Sequence, residues 1–310
     1  MPYQQYIDYR KFSGRLKADL VEVGFGNAQF LVEIAKQNPD KIVLGFEVSD
    51  ASIRKLVRKL RNNYIPNLFF VKIDAFWGFQ LLVEDNSVEK LYINYPCPWF
   101  KKRHHRRRIT RREALLLFAK KIKSEGQIII RTDYYDLVEY TAQQAEGIFE
   151  VRSSQIHVDQ PITKYEKKWL EEGRKIYEIV LTKKQSKDPD SQTNEIKFLE
   201  ISYRDTAMVI PKKMSLDQIL NYLRSIREEE IRLKDQVVAK FLDSYFDERK
   251  IVVETLISEK GFVQKFFLLI EDIEEKYLID VSEFSEILRT DGILRFVRYI
   301  SDVLSKEDDR

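Results

Sequence analysis

The sequence predicts an α/β domain built on a parallel sheet, followed by a smaller α+β domain. Through the first 185 residues, short apolar runs alternate with helical patterns, as in parallel sheets covered by helices. Residues 1–185 carry 33 Lys and Arg against 23 Asp and Glu, whereas residues 186–310 carry 20 against 27. A basic part joined to an acidic part favours two domains.

The predicted boundary is a polar segment, residues 183–194, that contains a proline and no apolar side chain. This composition is typical of a linker. We therefore predict one domain over residues 1–185 and a second over residues 195–310.

The elements of the first domain follow from hydrophobic spacing. Phe30, Leu31, Ile34 and Ala35 lie on one face of a first helix, and Ser49 or Asp50 caps a second. Two more helices are predicted over residues 110–123 and 134–146. Strands are predicted at 19–23, 42–46, 68–73, 88–94, 127–131, 149–157 and 174–182.

The second part gives a simpler pattern. Residues 196–203 predict a strand, and a helix capped by Ser215 is predicted to continue as far as Leu242. Gly261 predicts the turn of a hairpin. The elements that complete the domain are strands 251–257, 262–270 and 277–281 and a helix over 293–304.

Composition excludes several classes of protein. One cysteine rules out an intramolecular disulfide and a thiolate zinc cluster, and three histidines leave little for a metal site, so we expect no metal. No apolar run reaches the ~20 residues that span a bilayer, and the first residues lack the apolar stretch of a secretory signal. We expect a cytosolic protein without a membrane partner, and the sequence does not predict its oligomeric state.

Ligands of parallel sheets bind at the carboxyl ends of the strands, where this sequence carries its most specific residues. The first strand leads into Glu22, Gly24 and Gly26, and the second ends in Glu47, at the spacing of an acid that holds ribose hydroxyls. The third strand is followed by Asp74, and the fourth ends at Asn94 and enters a proline-rich turn, residues 94–99.

Each of these features alone could be an ordinary turn or a helix cap, but their order and spacing together predict a nucleotide site. A dinucleotide is disfavoured, because Ala28 departs from its glycine fingerprint and no second mononucleotide half is present. A cofactor with a single nucleoside, S-adenosylmethionine, fits better.

A basic segment, residues 101–112, follows the proline-rich turn with eight Lys and Arg and no acidic residue. Such a segment could be a solvated loop, but uncompensated charge at this density favours nucleic acid as a partner. The adjacent His104 and His105 lack a third ligand nearby, so phosphate contact or capping of the next helix is favoured over metal binding.

Over residues 19–182 the sequence resembles the bacterial tRNA (guanine-N7-)-methyltransferases, the TrmB family. The resemblance rests on Glu22–Gly26, Gly45–Val48, Asp74–Ala75, Tyr92–His104, Arg106–Arg108, Thr132–Asp133, Thr163–Glu166 and Gly173–Tyr177. It implies a Rossmann-like class I fold dependent on S-adenosylmethionine, with tRNA as substrate and 7-methylguanosine at position 46 as product.

The resemblance also implies roles for individual residues. The cofactor would be bound by Glu22, Gly24, Gly26, Glu47, Asp74 and Asn94, with Glu22 at its methionine end, Glu47 at the ribose and Asp74 at adenine. The substrate nucleotide would be bound by Lys101, Asp133, Thr163, Lys164, Tyr165 and Glu166. The tRNA backbone would be contacted by Lys102, Arg103, Arg106, Arg107 and Arg108.

Three departures from the family pattern matter. Ala28 replaces a glycine, the basic N-terminal extension is nearly absent, and Cys97 stands where the family has an aspartate treated as catalytic. The implied catalytic residues are therefore Asp133 and the substituted position 97, where a covalent nucleophile or a small buried apolar residue are the alternatives. A non-catalytic RNA-binding protein that retains the fold is the alternative function.

Overall fold

The computed structural model describes residues 5–11, 14–157, 166, 172–184, 199, 201, 205–227, 229–285 and 287–306. Contacts between Cα atoms divide the chain into two compact units, Met1–Ile196 and Lys197–Arg310. The predicted linker falls almost entirely outside the described residues, so the boundaries 1–185 and 195–310 stay a prediction.

The first unit alternates strands and helices in the predicted order. Its strands are β1 (Leu20–Val23), β2 (Val43–Glu47), β3 (Leu68–Lys72), β4 (Val88–Asn94), β5 (Ile122–Thr132), β6 (Phe149–Ile156) and β7 (Ile176–Lys183). Its helices are α1 (Gln29–Gln37), α2 (Asp50–Asn62), α3 (Ala75–Leu82), α4 (Arg112–Lys121) and α5 (Tyr135–Ala145), and a 3-10 helix covers Lys102–Arg107.

The strands form one seven-stranded sheet in the order β3-β2-β1-β4-β5-β7-β6. Strands β1 to β5 pair in parallel, whereas β7 runs antiparallel to both β5 and β6. This confirms the predicted Rossmann-like class of the sheet. The expectation of a wholly parallel sheet is wrong for β7, because an apolar run shows that a strand is buried but not its direction.

The helices next to the site begin and pack as their sequences require. Ser49 caps α2, its hydroxyl accepting a hydrogen bond from the Ser52 amide over 3.4 Å, as N-cap residues do. Buried apolar side chains of α1 and α2 then share one core cluster with the strands beside them, including Leu31, Ile34, Leu56, Leu60, Val43 and Phe70.

The second unit is a six-stranded antiparallel sheet in the order β8-β13-β12-β11-β10-β9. Its strands are β8 (Met208–Pro211), β9 (Ile231–Leu233), β10 (Val237–Phe246), β11 (Lys250–Glu259), β12 (Phe262–Ile273) and β13 (Lys276–Val281), with helices α6 (Leu216–Ser225) and α7 (Asp291–Ser305). The predicted α+β class is confirmed.

One predicted element of the second unit is wrong. The helix expected to reach Leu242 ends at Ser225, and Val237, Ala239 and Phe241 lie buried on one face of β10 instead. Their period of two is that of a strand, not the 3.6 of a helix. The strand expected at 196–203 lies almost entirely outside the described residues.

The remaining elements of this unit agree with the sequence. Ser215 and Gln218 form a capping box at the start of α6. Lys260 and Gly261 join β11 to β12 with positive φ angles of 51° and 91°, which suit a two-residue hairpin turn. No helix among the described residues is long and apolar enough to cross a bilayer.

Candidate functional site

A cavity of about 190 Å³ lies at the carboxyl ends of β1 and β4. Strand β1 pairs with β2 on one side and with β4 on the other, so the connections leave the sheet in opposite directions and open a crevice. The cavity is lined by Glu22, Gly24, Phe25, Gly26, Asn27, Phe30, Ser52, Lys55, Asn94 and Tyr95.

The glycines after β1 leave room for a ligand against the backbone. Gly24 has a φ of +71°, a left-handed conformation that favours glycine, and its N–H donates to the Phe46 carbonyl over 2.8 Å. A Cβ added at Gly24 would meet no protein atom within 4 Å. The space beside this turn is therefore part of the cavity, and a side chain there would occupy it.

Glu47 joins the ends of β1 and β2 through its carboxylate. Oε2 accepts the Gly26 N–H over 2.9 Å, and Oε1 accepts the N–H groups of Val48 and Ser49 over 2.8 and 3.0 Å. Hydrogen bonds to an ionised acceptor are the stronger ones. The acid expected at the ribose thus also fixes the glycine turn that forms the cavity floor.

Glu22 is a buried carboxyl at the base of the cavity, 2% exposed. Asn94 Nδ2 donates to its Oε1 over 3.1 Å, while its Oε2 has no hydrogen-bond partner among the described residues. Burial raises the pKa of Glu22 to about 8, with a further contribution from the charge of Glu47 and opposition from the Asn94 bond. A cationic group in the cavity would supply the partner that Oε2 lacks.

The cavity includes residues that the sequence did not single out. Lys55 and Ser52 reach it from α2, and Phe30 from α1. Cations recur along α2, so nothing in the sequence distinguishes Lys55 from its neighbours. Asp74, by contrast, is not among the lining residues, and it caps α3 by accepting the Phe76 N–H over 2.9 Å.

Ala28 stands in a left-handed conformation, with a φ of 57°, just before α1. Such a backbone costs a non-glycine residue roughly 1–2 kcal/mol. Alanine in place of the family's glycine therefore costs free energy through its backbone conformation. Its small side chain fits and is fully buried.

The turn after β4 is held at both of its ends. Tyr95 donates its N–H to the Arg131 carbonyl, and Arg108 Nε donates to the Pro98 carbonyl, each over 2.8 Å. Between these anchors Tyr95 and Trp99 have positive φ angles of 52° and 47°, conformations that persist only where surrounding contacts impose them. Cys97 is exposed, so its interpretation as a buried apolar residue is wrong.

A network of charges lies beside this turn. Glu166 Oε1 accepts the Tyr95 hydroxyl over 3.0 Å and Arg131 over 3.1 Å, and Arg131 also binds Glu178 over 2.9 Å. Burial and the Glu166 carboxylate together raise the pKa of Tyr95. The predicted substrate residue Glu166 is thus brought to the cavity through Tyr95.

The structure describes two of the other predicted substrate residues, Asp133 and Lys101. Asp133, at the end of β5, accepts a hydrogen bond from Arg174 over 2.9 Å through Oδ2. Lys101 is exposed at the start of the basic segment. Thr163, Lys164 and Tyr165 lie outside the described residues.

Residues 102–107 of the basic segment form the 3-10 helix, and most of the segment's charge is exposed to solvent. Five cations are exposed, namely Lys101, Lys102, Arg103, Arg106 and Arg107. Arg108 differs from its predicted role at the tRNA backbone, since it is 2% exposed and its guanidinium lies 4.4 Å from the Tyr140 ring centroid. Arg108 holds the Pro98 carbonyl and has no face open to phosphate.

We expect the Glu22→Gln variant to be more stable than the wild-type protein at alkaline pH. The folded-state pKa of about 8 exceeds the ordinary value of 4.5, so the folded protein holds a proton that the unfolded chain releases, and stability falls as pH rises between these values. Thermal unfolding from pH 5 to 9 should show the variant's advantage growing with pH. Parallel curves would contradict a neutral, buried Glu22.

Comparison with known proteins relates this chain to a family. A family model described as "Putative methyltransferase" matches residues 17–179. A tRNA (guanine-N(7)-)-methyltransferase of Aquifex aeolicus is 39% identical over 97% of this chain and 99% of its own length. Proteins of the same name from Thermotoga maritima and Thermus thermophilus are 30% and 27% identical, over 97% and 94% of this chain and 94% and 90% of their own lengths.

These matches extend through the second unit, which the residue-level resemblance over 19–182 does not reach. The Aquifex aeolicus relative matches this chain almost from end to end. The chain therefore belongs to the family of tRNA (guanine-N(7)-)-methyltransferases.

Proposed function

We propose that this chain transfers a methyl group from S-adenosylmethionine to N7 of guanosine 46 in the variable loop of tRNA. The observation that carries the proposal is the cavity between β1 and β4, whose lining residues Asn94 and Tyr95 begin the turn that leads into the exposed basic helix. A small-molecule pocket and a cationic surface are thus consecutive in one stretch of chain.

The residues of the cavity fit this cofactor. The buried Oε2 of Glu22 has no hydrogen-bond partner in the part of the chain that the structure describes, and a Cβ added at Gly24 would meet no protein atom within 4 Å. Of the lining residues, Glu22 and Asn94 would hold the methionine end with its ammonium. Outside the lining, Glu47 would hold the ribose hydroxyls and Asp74 the adenine edge. When bound, the cofactor supplies a methyl group on a positively charged sulfur.

The acceptor places few chemical demands on the protein. Guanine N7 carries a lone pair and no proton, so no general base is required. The chain must align the base and stabilise positive charge that develops on the purine. Asp133 is the carboxylate we assign to this task, assisted by Glu166, whereas Cys97 is not required as a nucleophile.

The tRNA backbone would be bound by the exposed cations of the 3-10 helix. Lys102, Arg103, Arg106 and Arg107 form no ion pair within 4.0 Å among the described residues. RNA phosphates would pair with these side chains. The counterions condensed on the RNA would then be released into solution.

Mass spectrometry of nucleosides tests the proposal directly. Unmodified tRNA incubated with the protein and S-adenosylmethionine should yield 7-methylguanosine, and a tRNA with adenosine at position 46 should yield none. If tRNA binds but no methylated base forms, the alternative of a non-catalytic RNA-binding protein is correct.

A Gly24→Ala substitution should weaken cofactor binding by at least about tenfold, because the added methyl group would occupy the cavity. A tenfold loss of affinity corresponds to only ~1.4 kcal/mol. Gly147→Ala is the matched control, since Gly147 also has a positive φ, of 76°, with open space around a Cβ. Calorimetric titration with S-adenosylhomocysteine measures both. Equal affinities in the two variants would exclude the cavity as the cofactor site.

Arg107 and Arg108 should respond differently to substitution by glutamine. Arg107→Gln removes an exposed charge, so the slope of log affinity for tRNA against log salt should fall by about one unit. Arg108→Gln should leave that slope unchanged and lower turnover, because the Pro98 carbonyl loses its donor. A reduced slope in Arg108→Gln would show that its guanidinium reaches the RNA.

Asp133→Asn should reduce turnover about 10²-fold or more, the scale of removing one preorganised electrostatic stabiliser. Cys97→Ser should retain most of the activity, since serine is similar in size to cysteine and removes only the sulfur atom. Single-turnover rates at saturating cofactor and tRNA measure both effects. Loss of turnover in Cys97→Ser with normal binding would show that the thiol takes part in the chemistry.

A further inference from the structure

Two aromatic side chains stand exposed at the carboxyl ends of β4 and β5. Phe100 is 68% exposed and Tyr135 is 53% exposed. Phe100 ends the turn that begins at Asn94, and Tyr135 lies two residues after Asp133. Neither ring lines the cavity, so both lie outside the cofactor pocket but close in the chain to residues assigned to the reaction.

Each exposed ring is supported by a second ring. Phe100 packs against Tyr134 with centroids 5.0 Å apart, and Tyr135 against Tyr177 with centroids 5.2 Å apart. The Tyr134 hydroxyl in turn donates to Asp136 over 2.6 Å. These contacts hold the exposed rings in fixed orientations, which reduces the entropy lost when a ligand covers them. We call Phe100, Tyr134, Tyr135 and Tyr177 the aromatic platform.

The charge beside the platform indicates what covers it. A series of exposed cations begins at Lys101, the residue after Phe100, and continues into the 3-10 helix. An apolar peptide would use the rings but leave these cations without partners, and a duplex would offer phosphates but keep its base faces stacked. Unpaired nucleotides offer both a phosphate and a flat face, and proteins that bind them combine aromatic rings with cationic grooves.

We propose that the aromatic platform stacks on unpaired bases next to the target guanosine, with Phe100 and Tyr135 as the contacting rings. This inference rests on the proposed function. To reach the cavity the guanine must leave its stacked neighbours, which costs free energy. The platform replaces that lost stacking for the neighbouring bases and so favours the extruded arrangement.

The first test compares alanine variants of exposed aromatic residues. Phe100→Ala and Tyr135→Ala should each bind unmodified tRNA roughly 5- to 100-fold more weakly, the range for loss of one base–aromatic stack. The salt slope should not change, because no phosphate contact is removed. Tyr64→Ala is the control, since Tyr64 is 60% exposed in the connection between α2 and β3, and it should bind as the wild-type protein does.

Phe100→Trp keeps a flat ring and should retain affinity. Addition of tRNA should quench the tryptophan fluorescence of this variant more than it quenches that of the wild-type protein. Thermal unfolding of every variant should match that of the wild-type protein, because the rings are largely in solvent. A loss of affinity accompanied by a lower salt slope would show that the rings only support the basic helix, and would overturn the proposal.

The second test removes the base instead of the ring. A tRNA with an abasic site beside the target guanosine lacks the base on which one of the two rings stacks. Its affinity for the wild-type protein should fall to the affinity of intact tRNA for the variant in which that ring is replaced by alanine. Combining the abasic tRNA with that variant should cause little further loss, because the two changes remove the same contact. Fully additive losses for abasic sites on both sides of the guanosine would overturn the platform.

These binding measurements are made without cofactor, so they are independent of turnover. If wild-type protein forms no 7-methylguanosine, the proposed function fails, while the binding arms still decide whether the rings stack on unpaired bases. If the alanine variants bind and methylate tRNA normally, the platform is wrong and the proposed function stands.

Discussion

The parallel pairing of β1 with β2 on one side and with β4 on the other is the constraint on which the site depends. Because the chain leaves β1 towards one edge of the sheet and later returns to the other, the two connections cannot pack on each other and a crevice remains. Parallel strands also end at the same edge, so residues from distant parts of the sequence, such as Glu22 and Asn94, meet there.

Two acidic or basic side chains at this edge hold the backbone in place. The Glu47 carboxylate accepts three N–H groups and fixes the turn after β1, and the Arg108 guanidinium holds the Pro98 carbonyl in the turn after β4. Each turn carries a non-glycine residue with a positive φ angle, Ala28 after β1 and Trp99 after β4. Charge-assisted hydrogen bonds of this kind offset such strain, so the shape of the cavity depends on charge as well as on packing.

The sequence predicted the sheet and the residues at its strand ends because apolar runs and glycine turns are local signals. It did not predict that β7 runs antiparallel or that residues 237–242 form a strand, since direction and partner depend on residues far away in the chain. Arg108 shows the same limit in the site. Within a run of arginines nothing local distinguishes the one that lies over Tyr140 from those in solvent. Lys55 was likewise indistinguishable along α2.

The buried carboxyl of Glu22 links whatever occupies the cavity to the proton concentration around it. With a pKa of about 8, Glu22 is mostly neutral at pH 7 when no cation is beside it. A ligand that brings a positive charge to Oε2 favours the ionised form, and the proton then passes to the solvent. Occupancy and proton release become a single equilibrium, and the buffer takes part in it. For such a pocket an affinity describes the ligand only together with the pH, and the heat of binding includes the heat of protonating the buffer.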